Sequence, residues 1–298
     1  MRPSGCWHGW RSITRGGAAD NVIVTRITRY PLLIALLGLA LPCSAQAQFD
    51  HSHQAWTALL GRHVVLLDGG KASQVRYAGF QKDRAALKNY LDSLSTVTQQ
   101  EFSGWSKDQQ LAFLINAYNA STVEKILTRY PNIRSIWDFG KVFGNPFKDK
   151  FIRLLGTEMS LDNIEHDNIR AEGAYNDPRI HFAVNCAAIS CPMLREEAYI
   201  SGGLDRQLEE QTIRFLSDRS RNRYNPETRS LEVSKIFDSY PWYGGDFRRG
   251  WKGSTSPEQF FSRHADQLAG NPEHQRLIRE QKAGIGYLEY DWRLNAVR

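Results

Sequence analysis

The stretch Asp177-Pro178-Arg179-Ile180-His181-Phe182-Ala183-Val184-Asn185-Cys186-Ala187-Ala188-Ile189-Ser190-Cys191-Pro192 sets how the rest of the chain is read. From Arg179 to Cys186, a period of two puts His181, Ala183 and Asn185 on one face and Phe182, Val184 and Cys186 on the other. That alternation predicts a central strand, since neighbouring side chains of a strand point to opposite faces. Pro192 gives the stretch a rigid exit.

Outward from it the pattern is mostly helical. Leu87, Tyr90, Leu91 and Leu94 share one face of a helix predicted over Asp83 to about Thr98. Leu111, Leu114, Ile115, Tyr118, Thr122 and Ile126 form the stripe of a longer helix, Ser106 to Tyr130, with capping-box spacing at Ser106 and Gln109. Asn116 and Asn119 stand at the edge of that stripe. Each is expected either to bond across the core or to orient a reacting group. Ser160 opens a helix with Leu161, Ile164 and Ile169 facing inward and Glu165-His166 in its first turns. Leu204 to Asp218 is amphipathic, and Ser256-Pro257-Glu258 starts a helix running to about Leu268. Short strands are predicted at His63–Leu67, Phe151–Leu155, Arg229–Val233 and Ile285–Tyr290. Without a regular strand–helix alternation, the expectation is an α+β fold: one domain, mixed helices around a small, mainly antiparallel sheet.

The chain has 298 residues, and its start reads as a targeting segment. Arg26 and Arg29 precede the apolar run Pro31–Pro42, and Ala45-Gln46-Ala47 supplies a cleavage signal. The run falls short of the roughly 20 residues a membrane span needs. Residues 1–47 are read as a signal peptide with an over-extended start, and residues 48–298 as a single periplasmic or secreted domain without a membrane span. Losing five arginines and one aspartate takes the net charge from +6 to +2. So neutral a domain gives no electrostatic case for nucleic acid.

Five blocks then carry a resemblance: AFLINAYNA (112–120), MSLDNIEHDNIR (159–170), DPRIHFAVNCAAISCPML (177–194), LEVSKIF (231–237) and YLEYDWRLN (287–295). Together, and in this order, they resemble the family known as domain of unknown function 547 (DUF547). The resemblance implies an exported single-domain protein when the member is bacterial. Some eukaryotic relatives are fused to glutaredoxin-like modules, which implies thiol or glutathione chemistry by association.

Cys186 and Cys191 are the two cysteines left after processing, and three readings of them compete. In an oxidising compartment a Cys186–Cys191 disulfide would close a small loop. Alternatively Cys186, preferred over Cys191, is a nucleophile. His181 or His166 would then take its proton, and Asn116, Asn119 or Asn185 would orient the imidazole or bind an oxyanion. On a regular strand, however, His181 and Cys186 point apart. The third reading, a metal site from His166, Glu165, His181 and the cysteines, matches no usual ligand spacing, and no metal is expected. Glu165 and Lys235 are secondary candidates whose plain readings are a helix-surface ion pair and a core edge. The chain lacks a phosphate-binding glycine loop and a dinucleotide fingerprint, so no cofactor is expected. The reading is a thiol-dependent hydrolase or transferase on an amide or thioester, with a small molecule or peptide as ligand. The alternative is a binding protein that holds such a ligand, or a protein partner, without turnover.

Overall fold

The computed structural model describes residues 48–140, 144–238 and 243–297. The expected signal peptide, residues 1–47, lies outside them, as do Tyr240 and Trp242 of the aromatic-rich sequence from Phe237 to Phe247. The described chain begins with α1 (Gln54–His63), the antiparallel hairpin of β1 (Val64–Leu67) and β2 (Ala72–Val75), and three short helices, α2 (Tyr77–Lys82), α3 (Arg84–Ser95) and α4 (Gln99–Ser103).

Next comes α5 (Lys107–Leu127), the helix the fold is built on. Its capping box forms as the sequence predicts: the Gln109 amide donates to Ser106 Oγ and the Ser106 amide to Gln109 Oε1. Its burial goes beyond one stripe. Every residue from Gln110 to Val123 is buried. A helix enclosed on all sides has no water for its polar side chains, so Asn116 and Asn119 must bond inside the protein.

The hairpin β3 (Ile152–Leu154) and β4 (Thr157–Met159) turns through Leu155 and Gly156, both left-handed, as a two-residue hairpin loop requires. Ser160 Oγ then accepts the Asn163 amide at 3.0 Å, and Leu161, Ile164 and Ile169 are buried as predicted. From Asn163 to Ile169 this helix widens to π-helical pitch.

The stretch 177–192 departs from expectation. Pro178–Phe182 is a 3₁₀ turn, not the first half of a strand. Asp177 Oδ1 accepts the Arg179 amide at 3.0 Å, and Pro178, with its fixed φ and no amide to satisfy, suits the first helical position. An aspartate cap followed by proline outweighs the alternation of side chains. The chain then runs irregularly, apart from a 3₁₀ turn at Ser201–Gly203, to α6 (Leu204–Ser217).

Strands β5 (Arg223–Asn225) and β6 (Ser230–Val233) pair antiparallel. Helices α7 (Pro257–Arg263), α8 (Ala265–Leu268) and α9 (Pro272–Arg279) follow, and β7 (Gly284–Tyr287) joins β6 in parallel. The helix predicted over 256–268 is thus broken at His264, and α9 is additional to the predicted set. The result is an α+β fold with three small sheets, mainly antiparallel.

Two hydrophobic clusters make the core. The larger surrounds α5; the smaller gathers Phe215, Phe237, Phe247, Phe260 and Phe261. The stretch 177–192 is the seam between them: Ile180, Ala183, Val184 and Ala187 enter the first, Phe182 the second.

Candidate functional site

The seam is held by amides of buried asparagines. Asn119 Nδ2 donates to Ala183 O at 2.9 Å, and its Oδ1 accepts the Asn185 amide at 2.8 Å. Asn185 Nδ2 donates to Pro192 O, and its Oδ1 accepts the Ala187 amide. This last bond fixes Ala187 at a positive φ of 63° directly after Cys186. One turn earlier on α5, Asn116 grips the backbone of Tyr199 in both directions. All three asparagines therefore bond across the core. They brace the chain around Cys186 and are not among the residues lining the cavity described next.

Beside the seam lies a cavity of about 230 Å³. The 3₁₀ turn brings His181 into the same wall as Cys186 and Cys191, which a regular strand would have kept apart. Glu165 and His166 reach it from the widened helix, Tyr118 from α5, Tyr243 from the segment after β6, and Tyr290 and Trp292 from the C-terminal segment. Lys235 does not line it. Its side chain borders a much smaller cavity beside Arg221.

Cys186 is half-buried and Cys191 buried, and both are free thiols, so the expected disulfide is not formed in the structure. The Cys186 amide donates to Cys191 Sγ at 2.9 Å, and the Cys191 thiol points to Val184 O. Cys186 Sγ meets the Tyr290 hydroxyl at 3.3 Å. Burial pushes the Cys186 thiol up, but hydrogen bonds from Cys191, Tyr290 and the Ala188 amide outweigh it and leave the thiol below its ordinary value. Burial, together with the hydrogen bond and charge of Cys186, drives Cys191 well above its own. The two sulfurs are therefore unequal: Cys186 is the more exposed and is favoured as thiolate, while Cys191 is the more buried and is held as thiol.

The imidazoles belong to a separate chain of contacts. His181 is buried and stacks on Tyr243 with ring centres 3.9 Å apart, and its Nε2 lies 3.3 Å from Asp246 Oδ2. Burial pulls His181 below its ordinary pKa, so it is neutral near pH 7. Burial works against charge on Asp246 too, yet the hydrogen bond to His181 and the Arg170 guanidinium hold it down at about 2. Arg170 Nε donates to Asp246 at 2.8 Å, and its other arm reaches His166 Nδ1 at 2.6 Å. Since an arginine only donates, His166 Nδ1 is an acceptor and its proton sits on Nε2, 3.6 Å from Asp162 Oδ1. Neither imidazole hydrogen-bonds Cys186. The sulfur's side-chain partners are Cys191 and Tyr290, not the histidine expected of a Cys–His pair.

The widened helix explains why Glu165 and His166, adjacent in sequence, both face the cavity; such widened turns recur at functional sites. Gly244 plays a comparable part for Tyr243. A Cβ there would come within 2.0 Å of Phe237 O, so only glycine lets the backbone approach closely enough to seat Tyr243 over His181. Tyr118, Asp162, Arg170, Asp246, Tyr290 and Trp292 were not singled out from sequence. For the last pair a signal existed: residues 290 and 292 of an extended tail share a face. Among the described residues, no group of three His, Cys, Asp or Glu is placed to hold a metal ion.

Fold and site define an α+β protein built around a thiol-bearing cavity. The family model described as "Protein of unknown function, DUF547" matches residues 102–216, from α4 through α6. That span, which contains Glu165, His166, His181, Cys186 and Cys191, is similar to the DUF547 family. Comparison with curated proteins and with solved structures finds no match.

Proposed function

We propose that this cavity carries out thiol-dependent acyl chemistry on an amide or thioester. The observation that carries this reading is the environment of Cys186: a cavity-facing thiol, stabilised as thiolate by the Tyr290 hydroxyl and the Ala188 amide. The sulfur attacks the carbonyl carbon, a C–S bond forms, and the C–N or C–S bond to the leaving group breaks. The leaving group takes a proton from solvent. Water or an amine then attacks the thioester and gives a proton back to solvent, the C–S bond breaks, and Cys186 returns as thiolate. The order of basic, apolar and A-x-A segments before residue 48 supports export, and hence a periplasmic or secreted site of action. Among the described residues, no helix is long and apolar enough to cross a membrane.

A second reading has its own observation. The Cys186 and Cys191 side chains hydrogen-bond each other, so an oxidant could join these sulfurs, five positions apart in sequence, as a disulfide. In that form the cavity binds a small molecule or peptide without turnover.

Alkylation by iodoacetamide, read by intact mass across pH, separates the two. The acyl reading expects Cys186 in protein from its own compartment to label at mildly acidic pH, faster than a free thiol of pKa about 8.5. Cys186→Ser should abolish that labelling and Cys191→Ser should not. Labelling only after reduction would put the binding reading first.

A further inference from the structure

Glu165 is 6% exposed, yet among the described residues no lysine or arginine pairs with it. Its Oε1 accepts the Tyr243 hydroxyl at 2.5 Å. A buried carboxylate without a countercharge is costly and is normally paired. Asp162 adds a second carboxylate to the same wall, and no lysine or arginine is among the described lining residues. The nearby cations are committed elsewhere: Arg170 to Asp246 and His166, Arg221 to Asp218. Much of the remaining lining is aromatic. Tyr290 and Trp292 rings lie 4.5 Å apart, and Trp137 meets Trp292 edge-on at 5.4 Å. Aromatic faces attract cations and repel anions.

We propose that the compound taken by this site carries a positive charge, an ammonium or amidinium, close to the carbonyl that Cys186 attacks, with Glu165 as its countercharge. The inference rests on the acyl reading above. It adds a role for the substrate in its own activation. Glu165 opposes charge on the Cys186 sulfur, and a cation bound between them removes that opposition, so the thiolate is most favoured when the correct substrate is in place.

The test uses three methanethiosulfonates on the chain from residue 48: aminoethyl (cationic), sulfonatoethyl (anionic) and methyl (neutral). In each, the thiolate attacks the sulfenyl sulfur, an S–S bond forms and sulfinate leaves. Rates of Cys186 modification are normalised to those with free cysteine. A cavity lined by one sign of charge raises counter-ion rates by roughly 10- to 1000-fold. The cationic reagent is therefore expected to exceed the anionic one by at least about tenfold. Glu165→Gln should bring the normalised ratio close to one, and added salt should lower it. Asp162→Asn, on the half-buried wall, should lower it partly and serves should the Glu165 variant not fold. A normalised ratio near one in the unaltered chain, or a high ratio untouched by both variants, overturns the inference while leaving the thiol reading intact. Failure of Cys186 to react even with the neutral reagent overturns both.

Discussion

At the scale of single residues, the decisive contact is Tyr290 to Cys186. A hydroxyl that donates to the sulfur stabilises the thiolate and does nothing comparable for the thiol. Tyr290→Phe removes the donor and keeps the ring against Trp292. A hydrogen bond to a charged group contributes about 1.5–3 kcal/mol, less to sulfur, so alkylation of Cys186 at mildly acidic pH should slow by about tenfold. An unchanged rate would show that the Ala188 amide and Cys191 suffice. Asp246 gives a pH dependence of definite sign. Its folded value, about 2, lies below the ordinary unfolded value near 3.9. A carboxylate depressed by folding stabilises the fold at pH above its unfolded value, and that contribution is lost as pH falls through about 4 to about 2. Asp246→Asn should therefore be less stable at pH 7, where Arg170 loses its partner, and show a shallower fall between pH 4 and 2. Urea midpoints measured at stepped pH report both, and an identical acid limb would count against the pairing.

At the scale of elements, the contrast is between signals that are local and those that are not. The frame of α5 was legible because a capping box and an apolar repeat lie within one helix, and α3 and α6 followed from their repeats. The 3₁₀ turn at Pro178–Phe182 was equally local, but two signals conflicted there. Ser256-Pro257 and Asp177-Pro178 are the same device, a side-chain cap followed by proline, and so is Asn271-Pro272 at the head of α9. Side-chain alternation at 179–186 masked the second, and α9 was missed because its flanks lack a long apolar stripe. The widening of 163–169 has no sequence signature. The asparagine braces were legible only as a choice between core bonding and chemistry, and enclosure of α5 decides for the core. Asn119→Ala tests this. It leaves Ala183 O and the Asn185 amide without partners inside the protein, at about 1–3 kcal/mol each, so a total loss of about 2–6 kcal/mol is expected in urea unfolding. A loss under about 0.5 kcal/mol, typical of a surface position, would mean that the seam does not depend on α5.

At the scale of the whole molecule, the cavity depends on the far end of the sequence being stitched to its middle. The Val75 amide donates to Asn295 O and the Val297 amide to Val75 O. The Asn295 amide donates to Ala187 O, and the Ile189 amide to Arg293 O. The tail is thus laced to β2 on one side and to the Cys186–Cys191 loop on the other, which carries Tyr290 and Trp292 to the cavity. No short-range pattern encodes such pairing, which is why the family blocks could be read singly while the wall they build together could not. Asn295, 3% exposed, is the knot: its Oδ1 accepts the Tyr77 hydroxyl at 2.8 Å, and its Nδ2 reaches Asn185 Oδ1 at 3.3 Å. If tail and loop open as one unit, the amides of Ile189, Asn295 and Val297 should share one opening free energy in native-state hydrogen exchange. Asn295→Ala strands a buried tyrosine hydroxyl and should lower all three together by about 1–3 kcal/mol. Cys186 labelling should lose its dependence on Tyr290 in the same variant, because the donor leaves with the tail. Were Asn295 and Val297 to lose protection while Ile189 kept it, the tail would be a separate element lying on a preformed loop, and Tyr290 an accessory to the thiol.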